Sequence, residues 1–376
     1  MKVFQSVYNS HTWSQALPIN ASAELVLLFG SEALIEDAEL FTEIQLAFPK
    51  AHVVGCTTSG EIQADTLLDD SLVLSAIHVD QACIYVESEH ISHFDDAEAL
   101  GESLIKGIPK HVLRHVFLIS DGQQINGSDL VSGVQRALPE GVSFTGGLAG
   151  DKSNFSKTKV RHNKQVDEGL VAAICFYGES LEIATGCYGG WRAFGPEREI
   201  TKADKNVVYE IDGKPALALY KSFLGEYAQD LPGSALLYPL SLTEEDGAGT
   251  VVRTILSIDE EQNSMRFAGN MPVGSTCQLM HASTEQLLDG AELAAKSALL
   301  PTPLPNNTLA LLVSCVGRRL VMSKRAVEEI ELIHDVMPEN AVLTGFYSYG
   351  EISPQSGTQE CTLHNQTMTI TVIGER

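Results

Sequence analysis

Positive charge is scarce in this chain. Its 376 residues hold 25 Lys and Arg against 49 Asp and Glu, a formal net charge of −24. A nucleic-acid binder needs a basic face to neutralise phosphates, so this balance argues against one, and against docking on an anionic membrane. No apolar run approaches the ~20 residues that cross a bilayer. The stretch from Met1 to His11 lacks the continuous apolar core of a secretory signal. A cytoplasmic protein without membrane insertion is expected. The seven cysteines include no Cys-x-x-Cys pair. They read as reduced thiols, mostly buried as small hydrophobes.

Catalytic signatures are missing too. The chain contains no His-Glu-x-x-His, no Walker A loop and no Gly-x-Ser-x-Gly elbow. Gly146-Gly147-Leu148-Ala149-Gly150 follows an apolar strand, but no helical pattern starts at its end, so it fails the dinucleotide fingerprint. No enzymatic activity is expected.

What the chain has is a motif written three times. A Pro precedes a short apolar strand, then a Gly-bounded loop, then an acid. The copies are Pro49 to Ile62, with Gly55, Gly60 and Glu61; Pro139 to Asp151, with Gly146, Gly147 and Gly150; and Pro338 to Ile352, with Gly345, Gly350 and Glu351. Repeated loops of this kind are suited to walling one pocket. Two longer segments, 82–178 and 275–374, also match. Each reads strand (82–87; 276–281), helix (95–106; 285–299), Pro stop, strand (115–120; 309–314), helix (130–138; 325–336), Gly loop and closing strand (169–176; 368–373). The stops are Pro109 in one copy and Pro301, Pro303 and Pro305 in the other. Val327, Ile330, Ile333 and Val336 recur at three-residue spacing on one helix face. The first 80 residues show only the later part of the unit.

A strand-helix-strand crossover makes parallel neighbours, and the closing strand is expected antiparallel. Continuous apolar strands such as Leu309-Ala310-Leu311-Leu312-Val313 imply cover on both faces. The expected class is α/β, with mixed sheets and helices outside, as two duplicated layered halves in an αββα-type sandwich. A different region, 188–270, separates the copies and contains a helix at 215–224 and a loop at Asp246-Gly247-Ala248-Gly249 predicted to be mobile. The division falls near Asp212, giving domains 1–211 and 212–376.

Several strings stand together in order: Ser120-Asp121-Gly122 with Asn126-Gly127, Gly146 to Asp151, Gly189-Gly190-Trp191, Ser314-Cys315-Val316-Gly317-Arg318, Gly345 to Ile352, and Leu363-His364-Asn365-Gln366-Thr367. As a set they closely resemble the FIST sensory domain family, FIST N over 1–211 and FIST C over 212–376. The resemblance implies a small-ligand input module in signal transduction. It is nearest to the bacterial members that bind haem, sense nitric oxide and act on a partner histidine kinase. The alternative is a haem-free module for a small metabolite such as an amino acid.

The candidate site residues each carry two readings. Glycines such as Gly345 permit tight strand connections, or bare backbone for a planar ligand. Phe346, Tyr347 and Tyr349, with Ser348, suit such a ligand surface. Arg318 and Cys315 stand where a strand ends, the usual ligand position in α/β sheets. Arg318 pairs with a ligand carboxylate such as a haem propionate or a free amino acid, or else with an internal acid. Cys315 is a buried thiol or a thiolate ligand. His364, before the last strand, either satisfies backbone groups or holds iron through a neutral imidazole, with His281 as second candidate.

Overall fold

The computed structural model describes residues 1–152, 154–243, 250–304, 306–355 and 360–376. The loop at Asp246–Gly249 and the stop at Pro305 lie outside the described residues. Three copies of one unit make the body. The first has β1 (Lys2–Asn9), β2 (Leu25–Gly30), α1 (Ala38–Ala47), β3 (His52–Thr57), the hairpin β4 (Glu61–Gln63) and β5 (Thr66–Leu68), and β6 (Leu72–His78). The second has β7 (Cys83–His90), α2 (Ala97–Lys106), β8 (Leu113–Ser120), α3 (Gly127–Ala137), β9 (Ser143–Leu148), the hairpin β10 (Val160–His162) and β11 (Gln165–Asp167), and β12 (Leu170–Tyr177).

The third unit opens with β13 (Leu181–Tyr188). An inserted eight-stranded sheet follows, including β14 (Arg192–Asp204), β15 (Val207–Ile211) and β16 (Thr276–His281), with α4 (Ala216–Leu224) on it. The unit resumes with α5 (Thr284–Ser297), β17 (Thr308–Cys315), α6 (Val316–Met322), α7 (Val327–Val336), β18 (Ala341–Ser348), the hairpin β19 (Gly350–Pro354) and β20 (Cys361–His364), and β21 (Met368–Glu375).

The strand orders are the same in all three sheets: β1-β6-β2-β3, β7-β12-β8-β9 and β13-β21-β17-β18. The helix crossovers make β2∥β3, β8∥β9 and β17∥β18 parallel; every other pairing in these series is antiparallel. Each hairpin then leaves its own sheet. β4-β5 pairs with β18, β10-β11 with β3, and β19-β20 with β9. The first unit gives to the third, the third to the second and the second to the first, which is a cyclic exchange with pseudo-threefold symmetry. Three backbone bonds repeat the cycle where the chains cross: Ser59 N–H to Tyr347 O (2.8 Å), Gly150 N–H to Thr57 O (3.0 Å) and Tyr349 N–H to Leu148 O (3.2 Å).

Alternation explains the layers. Leu25, Leu27 and Phe29, Phe117 and Ile119, and Leu309, Leu311 and Val313 meet in one central core shared by the three sheets. The residues between them, such as Val26, Val116 and Ala310, face α1, α2 with α3, and α5 with α7 respectively. Both faces of the inner strands β2 and β17 are therefore buried, as near-continuous hydrophobic runs require.

The α/β class with mixed sheets and outer helices is the observed one. Three sheets surround one core, however, where a sandwich of two halves was expected. The opening strand of the last copy is β13 rather than 276–281, which is β16 of the insertion. A short apolar strand carries no mark of which sheet it joins, and 95 residues separate the true opening strand from α5. The first unit has its own opening strand, β1, but no helix between it and β2. The step from 211 to 212 falls within the inserted sheet, at the end of β15 and before the strand Lys214–Pro215 that pairs with it.

Candidate functional site

The carboxyl ends of β3, β9 and β18 converge through the three crossing bonds. Over this end, residues of all three units line a cleft of about 420 Å³. The first unit supplies Ser59 and Asp69, and the second supplies Lys152. The third adds Val316, Arg319 and Leu320 from α6, then Ser323 and Lys324. Arg319 crosses the cleft and forms a two-pronged pair with Asp69, at 2.9 Å to Oδ1 and 2.6 Å to Oδ2. It also donates to the Ser59 carbonyl, and its guanidinium lies 5.7 Å from the Tyr347 ring centre. Lys152 Nζ meets Asp70 Oδ1 at 2.6 Å. Val316 and Leu320 make the apolar wall. The volume and the mixture of apolar wall and few placed charges suit a small ligand.

Arg318 turns the other way. One residue along a helix rotates the side chain by about 100°, and this rotation buries Arg318 completely. Its Nε and Nη2 donate to Glu329 Oε2 at 3.1 and 2.7 Å, Nη2 also to Leu287 O at 2.8 Å, and Nη1 to Gly189 O. Glu329 is equally buried and accepts from Ser314 Oγ (2.9 Å) and from the Tyr347 hydroxyl (2.5 Å). The guanidinium is thus engaged inside the protein, the second of its two sequence readings. Cys315 is 1 % exposed, and burial pushes its thiol well up.

The other candidates separate. Phe346 points into the central core against Phe29, ring centres 4.8 Å apart. A Cβ at Gly345 would lie 1.9 Å from Leu312 O on the parallel neighbour; Gly55 and Gly146 face Leu28 O and Leu118 O at 2.0 and 2.1 Å. The three glycines let paired strands approach. Tyr349 is stacked with Phe155, centres 4.5 Å apart, and its hydroxyl accepts from Phe155 N–H. His364, on β20, has Nε2 3.2 Å from Ser353 O. Burial, and then the charge of Arg253, push its imidazole down to about 4. His281 is exposed at the end of β16, edge-on to Phe194.

The cleft lining does not fit a haem: it holds no imidazole, thiol or thioether to bind the iron, and His364 lies outside it, buried, with Nε2 toward the Ser353 carbonyl. Sequence reasoning missed Arg319, Lys152, Lys324, Asp69 and Glu329. The adjacent arginines were visible, but which one faces the cleft depends on how α6 seats after β17.

Among known proteins, the FIST N domain family matches residues 24–214 and the FIST C domain family residues 216–354. An uncharacterised protein of Methanocaldococcus jannaschii is 23 % identical over 379 residues, covering 88 % of this chain and 70 % of that protein. With these two matches together spanning the three units and the insertion, the chain belongs to the FIST family, whose domains are small-ligand sensory domains in signalling.

Proposed function

We propose that this FIST protein senses a small carboxylate-bearing metabolite, such as a free amino acid, in the cleft between Asp69 and Lys324, without haem. One observation carries the reading. In a chain of net charge −24, Lys152, Arg319 and Lys324 line one cleft of ligand size beside an apolar wall. The carboxylate takes the Arg319 fork, a geometry Lys does not reproduce. The Asp69 carboxylate, freed from Arg319, faces the ammonium of an amino acid.

Replacing the Asp69–Arg319 pair gives the ligand a differential affinity for two arrangements of α6, the condition for shifting a conformational equilibrium. Arg318 on the same helix holds Gly189 and Leu287, where the insertion joins the third unit. A ligand-dependent movement of α6 therefore reaches the insertion. The recipient is a signalling protein, for which a histidine kinase is the family expectation, and the setting is the cytoplasm. The haem and nitric-oxide reading rests on family resemblance, while the cleft lining, with its charged side chains and no axial ligand, favours the metabolite. A thermal-shift screen of amino acids and small dicarboxylates tests the reading. One class should raise the melting temperature of the wild type and leave Lys324→Ala less affected. Stabilisation by none of them, or equal stabilisation of the variant, opposes it.

A further inference from the structure

We propose that His52 and His162 form a binding site for a divalent ion of the zinc class. The pair lies away from the cleft lining, where the hairpin donated by the second unit joins the first. His52 begins β3, and His162 ends β10 opposite Val54. The turn is fixed on both sides: Asn163 N–H donates to Val53 O at 2.7 Å, and Val53 N–H donates to Asn163 Oδ1 at 3.0 Å. Rigid sheet positions thus set the two rings.

The separation decides the reading. His52 Nδ1 and His162 Nε2 are 3.4 Å apart. N–H···O bonds cluster near ~2.9–3.0 Å, so at this distance the two ring nitrogens share at most a weak hydrogen bond. Two nitrogens each at ~2.0–2.1 Å from one tetrahedral zinc lie roughly 3.3–3.4 Å apart. The outer shell agrees. His162 Nδ1 is 2.8 Å from Ser88 Oγ, a hydroxyl able to accept the Nδ1 proton when Nε2 binds a metal. The negative charge of Glu87 acts on His162 and favours a cation there. Both histidines are half-buried, so an ion can enter. Imidazole donors suit zinc, nickel and copper better than magnesium or calcium. Among the described residues no cluster of three or more His, Cys, Asp or Glu is formed. Water or an added ligand therefore completes the shell, and micromolar affinity is expected. A bound ion would clip the donated hairpin to its host sheet.

The test is calorimetric titration of the full chain with Zn²⁺ after chelator treatment. One equivalent should bind with micromolar affinity. His52→Ala and His162→Ala should each weaken it by roughly 10–100-fold or more, Ser88→Ala should weaken it less, and the exposed His93→Ala should leave it unchanged. Imidazole ¹⁵N shifts of the wild type give a second readout that does not depend on variants folding. Zn²⁺ should move His52 Nδ1 and His162 Nε2. Absence of binding by the wild type, affinity unchanged in both histidine variants, or shifts confined to other histidines would overturn the site.

Discussion

Arg318 and Arg319 are adjacent in the chain and face opposite environments. The Arg318 side chain has no exposure and is paired with Glu329 at 2.7 Å, whereas the Arg319 side chain keeps 22 % exposure and pairs with a half-exposed Asp69. One arginine holds α6 to the protein, and the other lines the cleft.

Their losses should therefore differ in kind. Arg318→Met leaves the Glu329 carboxylate buried without its counter-charge, a change that costs about 3–5 kcal/mol. Arg319→Ala removes a partly solvated pair and should cost about 1 kcal/mol or less. Urea unfolding of the two variants checks the order, and a larger loss for Arg319→Ala would reverse these roles.

Glu61 and Glu351 hold equivalent turns. Thr58 and Ser348 hydroxyls donate to them at 2.6 Å, and Ser71 and Thr367 each donate an amide N–H and a hydroxyl. Burial nevertheless pushes both carboxyls up to about 7 from 4.5. The folded state thus holds these protons more tightly than the unfolded chain. Their stabilising contribution is full below about pH 4.5 and is lost as pH rises through about 7. At 1.36 kcal/mol per unit, each contributes up to about 3 kcal/mol. From about pH 5.5 to about pH 8.5, wild type should lose more stability than a Glu61→Gln/Glu351→Gln double variant. Equal losses would show that the two carboxyls are ionised in the folded protein.

Much of the local structure was legible in the sequence. Continuous apolar strands, helix faces such as Ile330 and Ile333, and the thrice-written Gly motif gave the α/β class and the mixed sheets. The cyclic hairpin exchange was not legible, because Glu61–Gln63 pairs with Thr344–Phe346 almost three hundred residues away. The site was half legible for the same reason. The strand end at Cys315 leads into α6, which lines the cleft, but Ser59, Asp69 and Lys152 reach that cleft only through the exchange. Tyr347 lies beneath Arg319, while Phe346, one residue earlier, points to the opposite face of its strand, into the core.

Gly345 illustrates the difference between a ligand surface and a packing contact. Gly345→Ala would press a methyl group 1.9 Å from Leu312 O between paired strands. A loss of more than ~3 kcal/mol, or failure to fold, is expected. Gly233→Ala, where an added Cβ meets nothing within 4 Å, should change stability by less than ~1 kcal/mol. Thermal denaturation compares them, and a Gly345→Ala protein of wild-type stability that fails only to bind ligand would restore its ligand role.

The central claim is that Arg319, rather than an iron at His364, receives the ligand. Isothermal titration of wild type and Arg319→Ala with the carboxylate class found by screening, alongside haemin titration followed by absorption, tests it most directly. The expected result is a single carboxylate site on wild type, an affinity loss of at least ~10-fold in Arg319→Ala, in line with a charge-assisted pair, and no Soret band that depends on His364. Haemin binding with a Soret band abolished by His364→Ala, together with carboxylate affinity unchanged by Arg319→Ala, would contradict the account.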